Sequence, residues 1–175
     1  MIFIQRDNFF PDIEYVRDEV LKVSLLSCAD YNAKYKREET WPGMRSWLLS
    51  EVAPELNTLI DNNIQSLPWF KELKFHKFVH FRGADSSVSQ VHNDNEHLAG
   101  LIYINPTNPS SGTLLHEAGG GSVINDIKYV QNRLVIYSGA YPHNSYGHFG
   151  SDPATGRLTI NLFLDLDQVK EPNAQ

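Results

Sequence analysis

Cysteine is almost missing from this chain. Cys28 stands alone among 175 residues, which excludes an intrachain disulfide and any cysteine-rich zinc site and makes a reducing cytoplasm the expected setting. Cationic excess is missing too: 15 Lys and Arg face 21 Asp and Glu, for a formal net charge of -6. Duplex affinity rests on cationic contacts to phosphate, so no nucleic-acid partner is expected. No apolar run approaches the roughly 20 residues of a membrane span, and the amino terminus reaches Arg6 and Asp7 too early for a signal peptide. A soluble protein with no membrane partner is the expectation. Low-complexity linkers and charge blocks are also lacking, and Pro and Gly are scattered as turn signals. One domain over 1–175, long enough to bury a core, is therefore expected, and nothing in the residues indicates an oligomeric state.

What is present divides in two. Over residues 12–27, Ile13, Val16, Val20 and Val23 recur at helical spacing, with Pro11 and Asp12 as a start signal. A second helix is predicted from about Pro54 to Gln65, striped by Leu56, Leu59, Ile60 and Ile64, with Pro54 tolerated in its first turn. About 1–70 thus reads as helical support. From Phe75 the period changes to alternation, and strands are expected at Phe75–Arg82, Leu98–Asn105, Gly112–His116, Gly121–Ile124, Leu134–Ser138 and Arg157–Asp165. Short strands with mixed connections predict a mainly β core over about 75–165, a sandwich or jelly roll with flanking α-helices.

Chemistry concentrates in His92-Asn93-Asp94 and, later, His143. In a strand, side chains at i and i+2 point the same way, so His92 and Asp94 can reach one ion while Asn93 faces elsewhere. Two imidazoles and one carboxylate can hold one face of Fe(II) and leave the other open. Alone, a His-x-Asp is more often an exposed loop pair. His143 follows Leu134-Val135-Ile136-Tyr137, and Pro142 rigidifies its approach. By contrast, His76 and His80 alternate with apolar residues along a sheet face, and His97, His116 and His148 have no partner at ligand spacing.

In the last strand Leu158, Ile160, Leu162 and Leu164 point one way and Arg157, Thr159 and Asn161 the other. A half-exposed strand alternates in the same manner. The polar set differs in kind, because an arginine fork binds carboxylate bidentately and a threonine two residues on can donate to the same group. Tyr103 could hydrogen-bond that carboxylate or be an ordinary strand aromatic.

In this order, His92-x-Asp94, Leu101-Ile102-Tyr103-Ile104-Asn105, Ser111-Gly112-Thr113-Leu114, Asn132-Arg133-Leu134-Val135-Ile136-Tyr137, His143 and Arg157-x-Thr159 resemble the Fe(II)- and 2-oxoglutarate-dependent oxygenases, in their prolyl 4-hydroxylase-like branch. The resemblance runs from about Phe75 to Asp165. It implies a double-stranded β-helix (a cupin-like jelly roll), iron held by His92, Asp94 and His143, and 2-oxoglutarate held by Arg157 with Tyr103 and Thr159 in support. Fe(II), 2-oxoglutarate and O2 are the implied cofactors, with ascorbate supportive. The implied reaction hydroxylates a prolyl peptide, amino acid or other small substrate and releases succinate and CO2. The segment 144–156 is longer than usual in this branch. Trp41-Pro42-Gly43-Met44-Arg45-Ser46 is similar to a motif of some small, often viral, members, although a Pro-Gly turn feeding a helix is the simpler expectation for Pro42 and Gly43. Trp41, Arg45, Arg82 and Asn161 are the candidate substrate contacts. A metal-dependent cupin-type hydrolase or isomerase, or a non-catalytic jelly-roll binding module, would share the ligands but leave Arg157 and Thr159 unexplained.

Overall fold

A computed structural model describes residues 3–71, 73–87 and 89–165, with Trp69 described through its backbone alone. Strand β1 (Phe3–Arg6) comes first and helix α1 (Ile13–Leu21) follows, capped by the Asp12 carboxylate, which accepts the Tyr15 amide at 3.0 Å. The helix is shorter than the 12–27 span that the apolar spacing predicts. After Leu21 the chain turns into β2 (Leu26–Ser27), and the Ser27 hydroxyl caps a helix that was not anticipated, α2 (Cys28–Tyr35). Only Tyr31 of α2 is buried, so it has no apolar stripe to betray it. Then come β3 (Met44–Arg45), α3 (Leu49–Val52) and α4 (Pro54–Gln65), the last with the expected bounds.

The β-rich half holds β4 (His76–Arg82), β5 (Leu98–Tyr103), β6 (Asn108–His116), β7 (Val123–Tyr129), β8 (Leu134–Ser138), β9 (His143–Tyr146) and β10 (Arg157–Leu164). Strands β6 and β7 begin away from the expected Gly112 and Gly121. A register irregularity between Asn108 and Gly112 breaks the alternation that would mark the start of β6. The strands form a seven-stranded sheet, β1-β8-β5-β10-β4-β3-β2, and a three-stranded sheet, β7-β6-β9. Pairing is antiparallel throughout the register of both sheets.

Antiparallel partners share a face, so the register sorts the large sheet into two surfaces. Ile160 stands opposite Val79 and Ile102, and Leu158 opposite Phe81. This face packs on Val16 and Val20 of α1 and Leu56, Ile60 and Ile64 of α4 in the main core. Buried Lys77 on this side is neutralised by Asp61 of α4 at 2.8 Å, which ties β4 to the helix. The other face carries Arg157 opposite Arg82, Thr159 opposite His80 and Tyr103, and Asn161 opposite Phe78 and Leu101. Part of that face meets the small sheet in a second apolar cluster of Leu101, Tyr103, Leu115, Ile127, Tyr129, Val135 and Tyr137. The rest borders an open cleft. Among the described residues no helix is long and apolar enough to cross a membrane.

Candidate metal centre and cleft

His92 and Asp94 do not lie in a regular strand, as the i, i+2 argument supposed. His92 forms an isolated bridge to His143, the two residues exchanging backbone hydrogen bonds of 3.0 and 2.8 Å. The Asp94 amide donates to Gly139 O at 3.0 Å, and Asn93 Nδ2 donates to Ala140 O at 2.5 Å. The triplet is thus docked by its backbone on the turn that leads into β9. Gly139 makes the close approach feasible, since a Cβ there would collide with the Glu96 carbonyl and meet Asp94 Cβ at 3.4 Å.

One nitrogen or oxygen from each of His92, Asp94 and His143 falls within 4.8 Å of the others. Asp94 Oδ1 is 3.8 Å from His92 Nε2, and Asp94 Oδ2 is 3.3 Å from His143 Nε2. Each imidazole has Nδ1 at 2.9 Å from a backbone carbonyl, Gln90 O for His92 and Tyr141 O for His143. A carbonyl only accepts, so Nδ1 carries a proton, and Nε2, on the carboxylate side, is the atom each ring can offer to a metal. Two neutral imidazoles and a carboxylate suit a divalent first-row metal such as iron, and three ligands leave coordination positions open.

The triad borders a cleft of about 860 Å³ that also contains Trp41, Arg45, Arg82, Arg157 and Asn161. Five of the seven residues expected from sequence at the co-substrate and substrate positions therefore line one cavity. Tyr103 and Thr159 do not. The Tyr103 phenol, fully buried, donates to Thr113 Oγ1 at 2.9 Å, and Thr159 Oγ1 donates to Asn161 Oδ1 at 2.8 Å. Both stand on the cleft side of the sheet but behind its wall: Tyr103 backs Thr113, which accepts from Arg157 Nη2 at 3.2 Å, and Thr159 orients Asn161.

Sequence reading missed Tyr137, Thr113, Ser145 and His80, which also border the cleft. Tyr137 sets its ring edge-on to His143 at 5.0 Å, and burial, with Asp94 nearby, raises its phenol well above its ordinary range. Strand parity could have found it, because Tyr137 stands opposite Ala99 on the cleft face. Of the other histidines, His116 Nε2 is bonded to Asn144 Oδ1 at 2.7 Å and His148 Nε2 to Ser145 Oγ at 2.9 Å.

Three buried side-chain nitrogens lack a hydrogen-bond partner among the described residues: Trp41 Nε1, Arg82 Nε and Arg157 Nε. All three belong to residues lining this one cleft. Buried donors are nearly always satisfied, so orphans gathered in a cavity mark where a ligand's acceptors belong. Arg157 and Arg82 are both 3% exposed and face each other in register, and among the described residues neither is ion-paired. Burial, and then the charge of Arg157, lowers Arg82 to about 10. An anion between them would relieve both effects, so the residues present fit a carboxylate-bearing ligand.

His80 gives the cleft wall a pH dependence. Burial lowers it to about 3, against the opposing effect of its Nε2 bond to Pro42 O at 2.8 Å. A histidine held neutral in the fold contributes stability that is complete above its ordinary value near 6.5 and is lost as pH falls towards 3. Between pH 7 and 5 that loss is about 2 kcal/mol, or a fall of about 4–8 °C in Tm. His148, lowered to about 4 chiefly by burial, adds to the same slope. His80→Gln keeps an N–H for Pro42 O and should flatten the Tm profile over this window. Parallel profiles for variant and wild type would reject the assignment.

No family model matches the sequence, and no curated protein sequence matches it. The solved structures do. The fold is the double-stranded β-helix seen in solved 2-oxoglutarate and Fe(II) oxygenases. It is similar to a Pseudomonas putida prolyl-4-hydroxylase, with 18% identity over 93% of this chain and 92% of that one and a TM-score of 0.58. A Trichoplax adhaerens prolyl hydroxylase, in complex with a hypoxia inducible factor peptide fragment, matches at 15% identity over 94% of this chain and 84% of that one, TM-score 0.58. HygX from Streptomyces hygroscopicus, with nickel, 2-oxoglutarate and hygromycin B bound, matches at 11% identity over 93% and 82%, TM-score 0.60. At such identities the likeness establishes the fold, and the chemistry must be argued from the cleft.

Proposed function

We propose that the protein is a 2-oxoglutarate- and Fe(II)-dependent oxygenase, in which His92, Asp94 and His143 hold the metal and Arg157 binds the distal carboxylate of 2-oxoglutarate. The observation that carries this reading is a buried Arg157, with no ion pair and an unbonded Nε among the described residues, in the same cleft as a His/Asp/His set whose Nε2 atoms converge on one carboxylate. A hydrolase or isomerase would use the ligands and leave that arginine unexplained. Arg82 adds counter-charge beside Arg157, Thr113 fixes the Arg157 fork through Nη2, and Tyr103 and Thr159 act one layer behind by holding Thr113 and Asn161.

Iron bound with a 2-oxo acid and dioxygen would supply the oxidising chemistry that turns 2-oxoglutarate into succinate and CO2 and a substrate C–H into C–OH. The chain's own part is binding and exclusion. Carbonyl-anchored imidazoles keep their lone pairs aimed, Asp94 supplies the ligand charge, and the Tyr137 phenol, protonated at neutral pH, closes one side of His143. Hydroxylation of a prolyl peptide, amino acid or other small molecule is the proposed outcome, in keeping with the peptide fragment and the hygromycin B bound by two similar structures.

The test is succinate formation from 2-oxoglutarate by purified protein with Fe(II), ascorbate and oxygen, with and without peptide and amino-acid panels. Metal- and oxygen-dependent succinate supports the reading. No succinate under any of these conditions would sink it.

A further inference from the structure

In Trp41-Pro42-Gly43-Met44-Arg45-Ser46 the sequence predicts a turn at Pro42 and Gly43 that feeds a helix. Instead the segment 41–46 bends into β3, which pairs with β4 on one side and β2 on the other, and each position has a physical task. His80 on β4 holds the Pro42 carbonyl at 2.8 Å. Gly43 has φ of +88°, and a Cβ there would collide with the Phe81 carbonyl, so only glycine lets the chain press this closely on β4. Met44 turns to the core, and Ser46 Oγ accepts the Val79 amide at 2.9 Å. The backbone of the segment is thus held against β4, and the side chains of Trp41 and Arg45 line the cleft.

Arg45 is unlike the other arginines of the cavity. Its guanidinium lies 3.9 Å over the Phe78 ring, with Trp41 at 5.6 Å and Phe163 at 6.0 Å, an aromatic surround that holds the plane of the fork. Among the described residues no carboxylate lies within ion-pair distance of it, and burial lowers its pKa. Arg157 is tied to Thr113 and Gly112, whereas the Arg45 nitrogens have no hydrogen-bond partner among the described residues. Position separates them as well. Four strand spacings lie between β3 and β8, the strand of Tyr137, which is roughly 19 Å of backbone. Arg45 therefore reaches in from the β3 side of the sheet, away from Tyr137, while Arg157 sits at the start of β10.

We propose that Arg45 is the recognition group for the prime substrate, and that this substrate bears a carboxylate next to an apolar portion that rests on Trp41 and Phe163. The statement deepens the oxygenase reading and rests on it for the word substrate. A single fork in an aromatic clamp matches one planar monoanion bidentately. A phosphate dianion fits less well, because Glu39 and Glu96 act electrostatically on Arg45 and would repel the second charge.

Matched probes test this without turnover. N-acetyl amino acids and their amides examine a terminal carboxylate, and N-acetyl-Asp-amide against N-acetyl-Asn-amide examines a side-chain one. Intrinsic tryptophan fluorescence reads binding, with Trp41 in the wall. Wild type should bind the acid of at least one pair about 10- to 100-fold more tightly than its neutral partner, the range of a charge-assisted hydrogen bond. Preference in the first pair alone identifies a free acid or chain terminus; preference in the second identifies an acidic residue. Arg45→Gln should lose the preference. Because that variant could misfold, phenylglyoxal modification of wild type mapped by mass spectrometry gives a second readout: the preferred acid should protect Arg45 and its neutral partner should not. Equal binding of acid and amide, tighter binding of phenyl phosphate, or unprotected Arg45 would overturn the proposal. Succinate formation without acid preference would reject Arg45 alone, and acid preference without succinate would reject the oxygenase reading alone.

Discussion

Asp94→Ala is expected to abolish 2-oxoglutarate turnover and to weaken Fe(II) binding by more than the roughly 10- to 100-fold typical when only an outer hydrogen-bond partner of a ligand is lost. Asp94 is the sole anion of the triad, and its two oxygens lie 3.8 and 3.3 Å from the two Nε2 atoms. Without it two neutral imidazoles remain, and nothing offsets the ion's charge. The fold should survive, because the triplet is fastened through backbone: the Asp94 amide bonds Gly139 O whatever the side chain, and His92 and His143 keep their exchanged pair. Chelator competition for Fe(II), together with a succinate assay, measures both effects. A variant that binds Fe(II) as tightly as wild type would show that the metal, if any, sits elsewhere.

The sequence disclosed those parts of the fold whose burial pattern is local. Helix α4 was bounded correctly because its stripe and Pro54 lie within one segment, and β10 because apolar and polar residues alternate along it. What depends on distant partners was hidden. Strand β9 reads His-Asn-Ser-Tyr, with no alternation, and exists because β6 pairs with it; β3 is two residues long and exists because Phe81 and His80 on β4 face it. The same limit explains the site. Period-two parity put Thr159 and Arg157 on one face, and the strand register adds Tyr103 to it, but parity carries no information about depth. The small sheet covers Tyr103 through Leu115, Ile127 and Tyr129, so two of the three reach the cleft only through Thr113 and Asn161. His92 and Asp94 came together for a reason other than the one the spacing suggested, since a bridge to His143 and a glycine, rather than a strand, aligns them.

Orphaned donors link this geometry to stability. Each buried unpaired polar group costs about 1–3 kcal/mol, so a chain that keeps Arg82 Nε, Arg157 Nε and Trp41 Nε1 unpaired in one cleft is less stable alone than with its ligand. Binding and folding are therefore coupled at these atoms, and removing one of them should move the two in opposite directions.

Arg157→Met shows the coupling most clearly. Methionine keeps an apolar stem and discards the charge, and replacing a buried charge with an apolar side chain is often neutral or stabilising. The ligand-free variant should therefore melt at or above the wild-type temperature. Its affinity for 2-oxoglutarate should fall about 30- to 1000-fold, the equivalent of about 2–4 kcal/mol for a buried charged hydrogen-bond partner. Under anaerobic conditions with Fe(II), 2-oxoglutarate at 100 times its Kd should stabilise wild type by about 2.7 kcal/mol, which is roughly 5–11 °C for a chain of this size. The same concentration should stabilise Arg157→Met by less than about 1 kcal/mol, and Arg157→Lys should fall between, since it keeps the charge but loses the fork. If Arg157→Met showed the full ligand-induced shift, the co-substrate carboxylate would have to be held by another cleft cation, with Arg82, its neighbour in register, the first to examine.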